Sequence, residues 1–221
     1  MKIWGISDSH GYHNMYKIPN IDMVIFCGDE SNYKSASLNE QEFYNWVEWF
    51  KSLPIKYKLY IPGNHSSYVY HNEKFVKKLL YDNNIKWMHK EKEVIEDITF
   101  YGDATTPTYG DWFYMCARHK INRHWGNIPD GTEVLITHGP PKGILDLTIN
   151  QDNRLEQVGD GALRSRLQDL DKLQLHCFGH IHNYRHIINA GIFETNGIKY
   201  ANCAGVEDNN FDKGIIFNGN I

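Results

Sequence analysis

Five short apolar runs, each closed by polar or turn-forming residues, punctuate the chain: Lys2–Ser7, Met23–Cys27, Tyr57–Ile61, Glu133–Thr137 and Leu173–Phe178. Runs of this length, rich in Ile, Val, Leu and Phe, predict buried strands. Amphipathic stretches lie between them. Leu38–Ser52 sets Phe43, Trp46, Val47 and Phe50 at helical spacing, and Leu53-Pro54 stops it. Asn72–Tyr81 repeats the pattern with Phe75, Val76, Leu79 and Leu80, and Ala117–Trp125 and Gly161–Leu170 predict further helices. Strands alternating with helices mark an α/β fold. The tail differs: Asn189–Cys203 and Gly214–Phe217 read as antiparallel strands, with Asn196-Gly197 as a tight hairpin turn. Val94–Tyr101 reads as a second hairpin turning at Glu96-Asp97. No linker, repeat or low-complexity tract interrupts the chain, so one domain is expected over residues 1–221. The irregular stretches Asp103–Asp111 and Pro140–Asp160 are long enough to carry function.

Composition narrows the partners. Of 221 residues, 41% are hydrophobic and 14% aromatic, enough for a packed core. The net charge of −4 and the lack of a basic stripe disfavour a protein that grips an extended nucleic acid through Lys and Arg. A small phosphate ester held by metal ions stays compatible with this charge. No 18-residue apolar run occurs, so no membrane span is expected. The start, MKIWGISDSH, lacks the apolar core and cleavage pattern of a signal peptide. Cys27, Cys116, Cys177 and Cys203 form no CxxC pair and read as reduced core residues of a cytoplasmic protein. Nothing in the pattern indicates an oligomeric state.

Each apolar run ends in a polar cluster. The five clusters are Asp8-Ser9-His10, Gly28-Asp29, Gly63-Asn64-His65, His138-Gly139-Pro140 and Gly179-His180-Ile181-His182. Ligands of open α/β sheets collect at the carboxyl ends of strands. Taken singly, Gly28-Asp29 reads equally well as a turn with an N-capping Asp. Gly63-Asn64 likewise reads as an ordinary turn, and His138 before Gly-Pro-Pro as a helix stop. Together these alternatives demand five coincidences. Imidazole with carboxylate and no sulfur suits Zn, Fe, Mn, Co or Ni. Asp8 and Asp29 bring −2 and two divalent ions +4. The site keeps about +2, or about +1 with a bound hydroxide, which suits a phosphate anion. Two such ions bridge a hydroxide nucleophile and clamp phosphoryl oxygens.

These blocks, in this order, resemble the calcineurin-like metallophosphoesterase superfamily, whose pattern is D-x-H, G-D, G-N-H, a lone H and G-H-x-H. The match spans Asp8 to His182. Ile128-Pro129-Asp130-Gly131-Thr132 leading into LITHGPP, with Trp112-Phe113 and GHIH, is similar to the metallophosphoesterase-domain subgroup, itself similar to class III cyclic-nucleotide phosphodiesterases. The resemblance implies a four-layer α-β-β-α sandwich. It assigns Asp8, His10, Asp29 and His182 to one metal, and Asp29, Asn64, His138 and His180 to a second, with Asp29 bridging. His65 would protonate the leaving alkoxide or stabilise the transition state. Ser66 departs from the pattern, standing where the family usually has an acid that orients a nearby ligand. Thr137 replaces a common Gly, as in the subgroup. Gly28-Asp29-Glu30-Ser31 lacks both the D-R-G of protein phosphatases and the second aspartate usual in repair nucleases.

The expected activity is hydrolysis of small phosphodiesters, cyclic nucleotides among them, with two divalent ions as cofactors. A phosphomonoesterase or nuclease with the same site, and a nucleotide-sequestering protein, are the alternatives. His13, three residues past His10, and Arg118 are candidates for contacting the phosphate; Arg123 shares that possibility with an ordinary solvated role. Tyr109, Trp112 and Phe113 suit either a base-stacking wall or core packing. His176 reads as a satisfied core histidine, and His71 and His89 as surface residues.

Overall fold

In the computed structural model, which describes residues 1–205 and 214–218, the elements run β1 (Lys2–Ile6), β2 (Met23–Phe26), α1 (Ala36–Ser52), β3 (Tyr57–Tyr60), α2 (Ser67–His71), α3 (Glu73–Asp82), β4 (Lys86–Trp87), β5 (Glu91–Ile95), β6 (Ile98–Asp103), β7 (Thr106–Pro107), β8 (Met115–Cys116), α4 (Asn122–Trp125), β9 (Val134–Thr137), β10 (Leu147–Ile149), β11 (Leu155–Gln157), α5 (Gly161–Arg166), β12 (Leu175–Phe178), β13 (Gly191–Thr195), β14 (Ile198–Asn202) and β15 (Ile215–Asn218). The five apolar runs become β1, β2, β3, β9 and β12. Among the described residues two large sheets form, ordered β15-β1-β2-β3-β4 and β13-β14-β12-β9-β6-β5, beside the two-stranded pairs β7-β8 and β10-β11. Their central strands pair in parallel, and antiparallel strands sit at both edges of the second sheet and one edge of the first.

The alternation of side chains across a strand explains the layers. Val134 and Ile136 of β9 enter the core shared with the first sheet, while Leu135 between them joins Phe178 and Tyr200 on the opposite face. That outer face packs on Ile121 and Trp125 near α4 and on Leu163 of α5. Phe43, Trp46, Val47 and Phe50 of α1 cover the first sheet in a stacked aromatic series, with Trp46 4.7 Å from Phe50 and 5.0 Å from Phe26. The result is the α-β-β-α sandwich. Gly5 is required where the sheets meet, since a Cβ there would lie 2.6 Å from Cys203 Sγ. At the carboxyl end of β1 the seam closes through a bridge between Ser7 and Ala204, with Gly205 N donating to Ser7 O at 3.0 Å.

Both hairpins form as expected. Glu96-Asp97 and Asn196-Gly197 take positive φ, the conformation that twists two-residue turns to match their strands. Other elements shift. Only Asn122–Trp125 of the expected Ala117–Trp125 helix is helical, because Ile121 and Trp125 are the buried anchors and Ala117–Lys120 closes as a turn. The Gly161–Leu170 helix ends at Arg166 and tightens into a 3-10 turn over Leu167–Asp169. The stretch Pro140–Asp160 contains the small β10–β11 hairpin. Among the described residues, no helix is long and apolar enough to cross a membrane.

Candidate functional site

Strand ends bring the polar clusters to one rim. Asp8 and His10 follow β1, Asp29 follows β2, and Asn64 and His65 follow β3; His138 follows β9, and His180 and His182 follow β12. The chain turns sharply there. Asp8, His10, Asp29 and His180 all adopt positive φ, between 43° and 69°. Asp and His tolerate that region better than most side chains, yet it remains strained, and such strain gathers at functional sites. Close approach demands glycine nearby. A Cβ on Gly28 would sit 2.6 Å from His138 Nδ1, and Cβ atoms on Gly63 and Gly179 would collide with the carboxylates of Asp29 and Asp8.

The donors fall into overlapping groups. Asp8, His10 and His182 form one, His10, Asp29 and His65 a second, and Asp29, His138 and His180 a third, the ligand atoms of each lying within 4.8 Å of one another. Asn64 joins the third, its Oδ1 2.9 Å from His138 Nε2. Outer hydrogen bonds aim these atoms inward. His10 Nδ1 donates to Ser31 O and His138 Nδ1 to Cys27 O, leaving each Nε2 toward the site. Asn64 Nδ2 donates to the Tyr109 hydroxyl, which turns its Oδ1 to the cluster. His180 N donates to Asp8 and His65 N to Asp29, so both carboxylates also brace the turns around them.

This donor set fits divalent cations. His10 Nε2 and His182 Nε2 face each other at 3.4 Å. Two nitrogens about 2.1 Å from one ion at a tetrahedral angle sit about 3.4 Å apart. Charge is arranged to match. Burial alone would raise the Asp8 and Asp29 carboxyls, but His182 beside the first and His138 beside the second outweigh it and hold both well below the usual carboxylate range. Burial pushes His138 down, but Asp29, 3.3 Å away, leaves it raised to about 9. His180, depressed to about 3 by burial and then by His138, stays neutral as a ligand must.

His65 stands beside the cluster. Its Nδ1 donates to Asn32 O at 3.0 Å, which leaves Nε2 to act on a ligand. Trp112 lies over its ring at 4.0 Å and 31°, and Lys34 Nζ caps Trp112 at 4.0 Å while donating to Asp111 O. Trp112 therefore clamps a candidate catalytic imidazole, a role between the expected base wall and core packing. The Ser66 departure also finds its partner. Glu30, fully buried, accepts from Ser66 Oγ at 2.8 Å and Tyr60 OH at 2.9 Å, and Ser66 Oγ accepts from Gly63 N. A carboxyl thus stands behind the Gly63–His65 turn after all, supplied by the neighbour of Asp29 and raised by burial to about 7. Sequence reading passed over Glu30, although its place beside Asp29 and the missing acid at 66 together pointed to it.

Of the two candidate phosphate contacts, His13 falls away from the rim and Arg118 stands beside it. His13, expected on the rim, is buried against the Trp49 ring at 5.2 Å and depressed by burial to about 4, because the turn after Gly11 folds it under α1. Arg118 is half exposed beside the cluster, but its guanidinium donates to Val158 O and Gly159 O. Arg123 is exposed on α4. His71 is exposed as read, whereas His89 is buried, its Nδ1 accepting from Ala104 N. His176 sits in the core with Nε2 2.7 Å from Thr137 Oγ1.

The chain aligns with known proteins along most of its length. A UPF0046 protein of Caenorhabditis elegans is 28% identical over 219 residues, covering 92% of this chain and 70% of the relative. Human metallophosphoesterase domain-containing protein 1 is 28% identical over 199 residues, covering 80% of this chain but only 59% of its own length. A phosphopantetheinyl hydrolase structure from Mycobacterium tuberculosis superposes with a TM-score of 0.56 at 11% identity, covering 92% of this chain and 88% of that one. The sequence profile of the calcineurin-like phosphoesterases, metal-dependent phosphoester hydrolases, matches residues 1–184. With two packed sheets and one rim of carboxylate and imidazole donors at their strand ends, the chain belongs to the calcineurin-like phosphoesterase family.

Proposed function

We propose that the protein is a binuclear metal-dependent phosphodiesterase acting on small phosphodiesters, cyclic nucleotides among them. The observation that carries this reading is the double membership of Asp29, which joins His10 and His65 on one side and His138 and His180 on the other. A carboxylate so placed suits a bridge, with Asp8, His10 and His182 completing one cation site and Asn64, His138 and His180 the other. The cations, Mn, Fe, Zn, Co or Ni, would supply charge stabilisation for phosphoryl oxygens and make a water nucleophilic near neutral pH. The chain's own residues do the rest. Asp29 and Asp8 brace their turns through backbone hydrogen bonds, and His65, oriented by Asn32 and Trp112, holds Nε2 where a proton can pass to the departing oxygen.

The acidic net charge favours a small ester over an extended nucleic acid as the partner. Four free, buried cysteines suit a reducing compartment, and we assign the protein to the cytoplasm as one metallophosphoesterase domain. The test is turnover of bis-p-nitrophenyl phosphate by Mn²⁺-loaded protein. Asp29→Asn should cut it by about a hundredfold or more, since an amide has one oxygen donor and no charge where the carboxylate offers two oxygens to bridge the cations. Turnover that survives Asp29→Asn, or its absence from the loaded wild type, rejects the reading. Running p-nitrophenyl phosphate in parallel separates diester from monoester preference.

A further inference from the structure

The loop between β7 and β8 follows the second sheet's β6, yet it is tied to the Asn64-His65 pair of the first sheet. Phe113 N donates to Asn64 O at 3.2 Å, Trp112 lies over the His65 ring, and the Tyr109 hydroxyl accepts from Asn64 Nδ2 at 3.1 Å. Lys34 Nζ adds a further tie at Asp111 O. Gly110, at a φ of 107°, supplies the turn between the two aromatic anchors, Tyr109 and Trp112. Tyr109 faces the donors. Its ring stands 5.3 Å from that of His180. Burial pushes its hydroxyl up, and Asp29 and Asp8 add to that push, so both carboxylates lie within its electrostatic reach. The residue is nevertheless 51% exposed, and with His180 it lines a cleft of about 450 Å³ that opens at the rim.

We propose that Tyr109 is a catalytic residue, whose hydroxyl donates a hydrogen bond to a nonbridging phosphoryl oxygen of the bound ester. The proposal rests on the phosphodiesterase reading. A tyrosine hydroxyl both donates and accepts, and it keeps its proton at neutral pH. Asn64 Nδ2 uses the oxygen as an acceptor, and among the described residues no acceptor takes the proton. That proton is free for a ligand. Position selects the recipient. Asn64 and His180, the two neighbours of Tyr109, belong to one proposed cation site, so the hydroxyl stands over that site. Asp29 is buried beneath, whereas Tyr109 stands at the open cleft, where a phosphoryl group arrives. The other anchor of the loop, Trp112, acts through His65 on the departing oxygen. One loop thus serves two oxygens of one phosphate, the leaving one through His65 and a nonbridging one through Tyr109. A donor already fixed there stabilises the charge that oxygen carries in the transition state without reorganising.

The test compares Tyr109→Phe with wild type at saturating Mn²⁺ on two esters, methyl p-nitrophenyl phosphate and methyl phenyl phosphate, whose leaving groups differ in basicity. In the variant kcat should fall about thirtyfold, the loss of a hydrogen bond to a charged group, and equally for both esters, since both share the contacted oxygen. Inorganic phosphate, titrated calorimetrically into the same Mn²⁺-saturated proteins, should bind the variant about tenfold more weakly. Wild-type kcat recovered at saturating Mn²⁺ reduces Tyr109 to a support for Asn64 and overturns the proposal. A fall confined to the phenyl ester makes the hydroxyl an acid for the leaving group and overturns the nonbridging contact. Unchanged kcat and phosphate affinity overturn it as well. If wild type turns over neither ester, the phosphodiesterase reading fails. Weaker phosphate binding by Tyr109→Phe then still upholds the contact, and equal binding overturns it.

Discussion

The two sheets meet at the donor rim, but they do not contribute alike. The first sheet delivers both carboxylates, the amide and two imidazoles: Asp8 and His10 after β1, Asp29 after β2, Asn64 and His65 after β3. The second delivers imidazoles only, His138, His180 and His182. Among the described residues, the ion-pair contacts of the cluster that cross the seam join a carboxylate of one sheet to an imidazole of the other, Asp8–His182 at 3.1 Å and Asp29–His138 at 3.3 Å. The groups Asp8–His10–His182 and Asp29–His138–His180 each draw on both sheets. The sandwich creates the site by closing, and the same contacts help hold it closed when no cation is bound.

Ligand deletions in the second sheet should produce the largest effects, and different ones. His182→Ala removes a donor facing His10, and His180→Ala one facing Asn64 and His138. Each variant should retain about one ion per chain after dialysis, with activity down about a hundredfold. Elemental analysis checks the count. Equal loss of both ions from either variant would mean the seam forms one indivisible centre. Glu30→Gln comes next. It touches only the support of the Gly63–His65 turn in the first sheet, so metal affinity should fall about tenfold, measured by competition with a chelator. Trp112→Ala frees the His65 ring. It should slow an ethyl or methyl diester with an alkoxide leaving group about tenfold, and a p-nitrophenyl ester far less, because nitrophenolate departs without a proton. Equal slowing of both would assign Trp112 to packing alone.

The smallest effect separates two histidines of the second sheet by sign. His176, depressed to about 3, is neutral when folded. The unfolded chain binds a proton there below about pH 6.5, so stability present above that value is lost as pH falls toward 3. His138, raised to about 9 beside Asp29, behaves oppositely: its contribution is complete below about 6.5 and is lost as pH rises through 9. Urea titrations of chelator-treated protein should show both limbs, with His176 and His138 each contributing at most about 1.4 kcal/mol per pH unit. His176→Gln should lower the slope of the acid limb, which His13 and His180 share, and His138→Gln that of the alkaline one.

Much of this was legible beforehand because local pattern and local structure agree. Short Ile- and Val-rich runs bounded by turn residues favour buried strands, and a polar cluster after each run lands at a strand end wherever the strand lies. The amphipathic spacing of Phe43, Trp46, Val47 and Phe50 likewise marks α1 to within two residues. Prediction failed where the outcome depends on packing. His13 and His89 are polar in type, but a turn and a neighbouring sheet bury them. Ala117–Lys120 has helical composition without the apolar face that would hold a helix down.

By itself, then, the amino-acid sequence determined which segments are the five central strands, which residues stand at their ends, and hence the chemistry brought to the rim. Only the tertiary structure decided how those ends combine. Register and sheet closure, set by contacts far apart in the chain, made Asp29 common to two donor groups and paired carboxylates with imidazoles across the seam. The same contacts set Glu30 behind Ser66 and opened a cleft beside His180. Local propensity is written in neighbouring residues. Long-range packing depends on surfaces that exist only once the chain has folded.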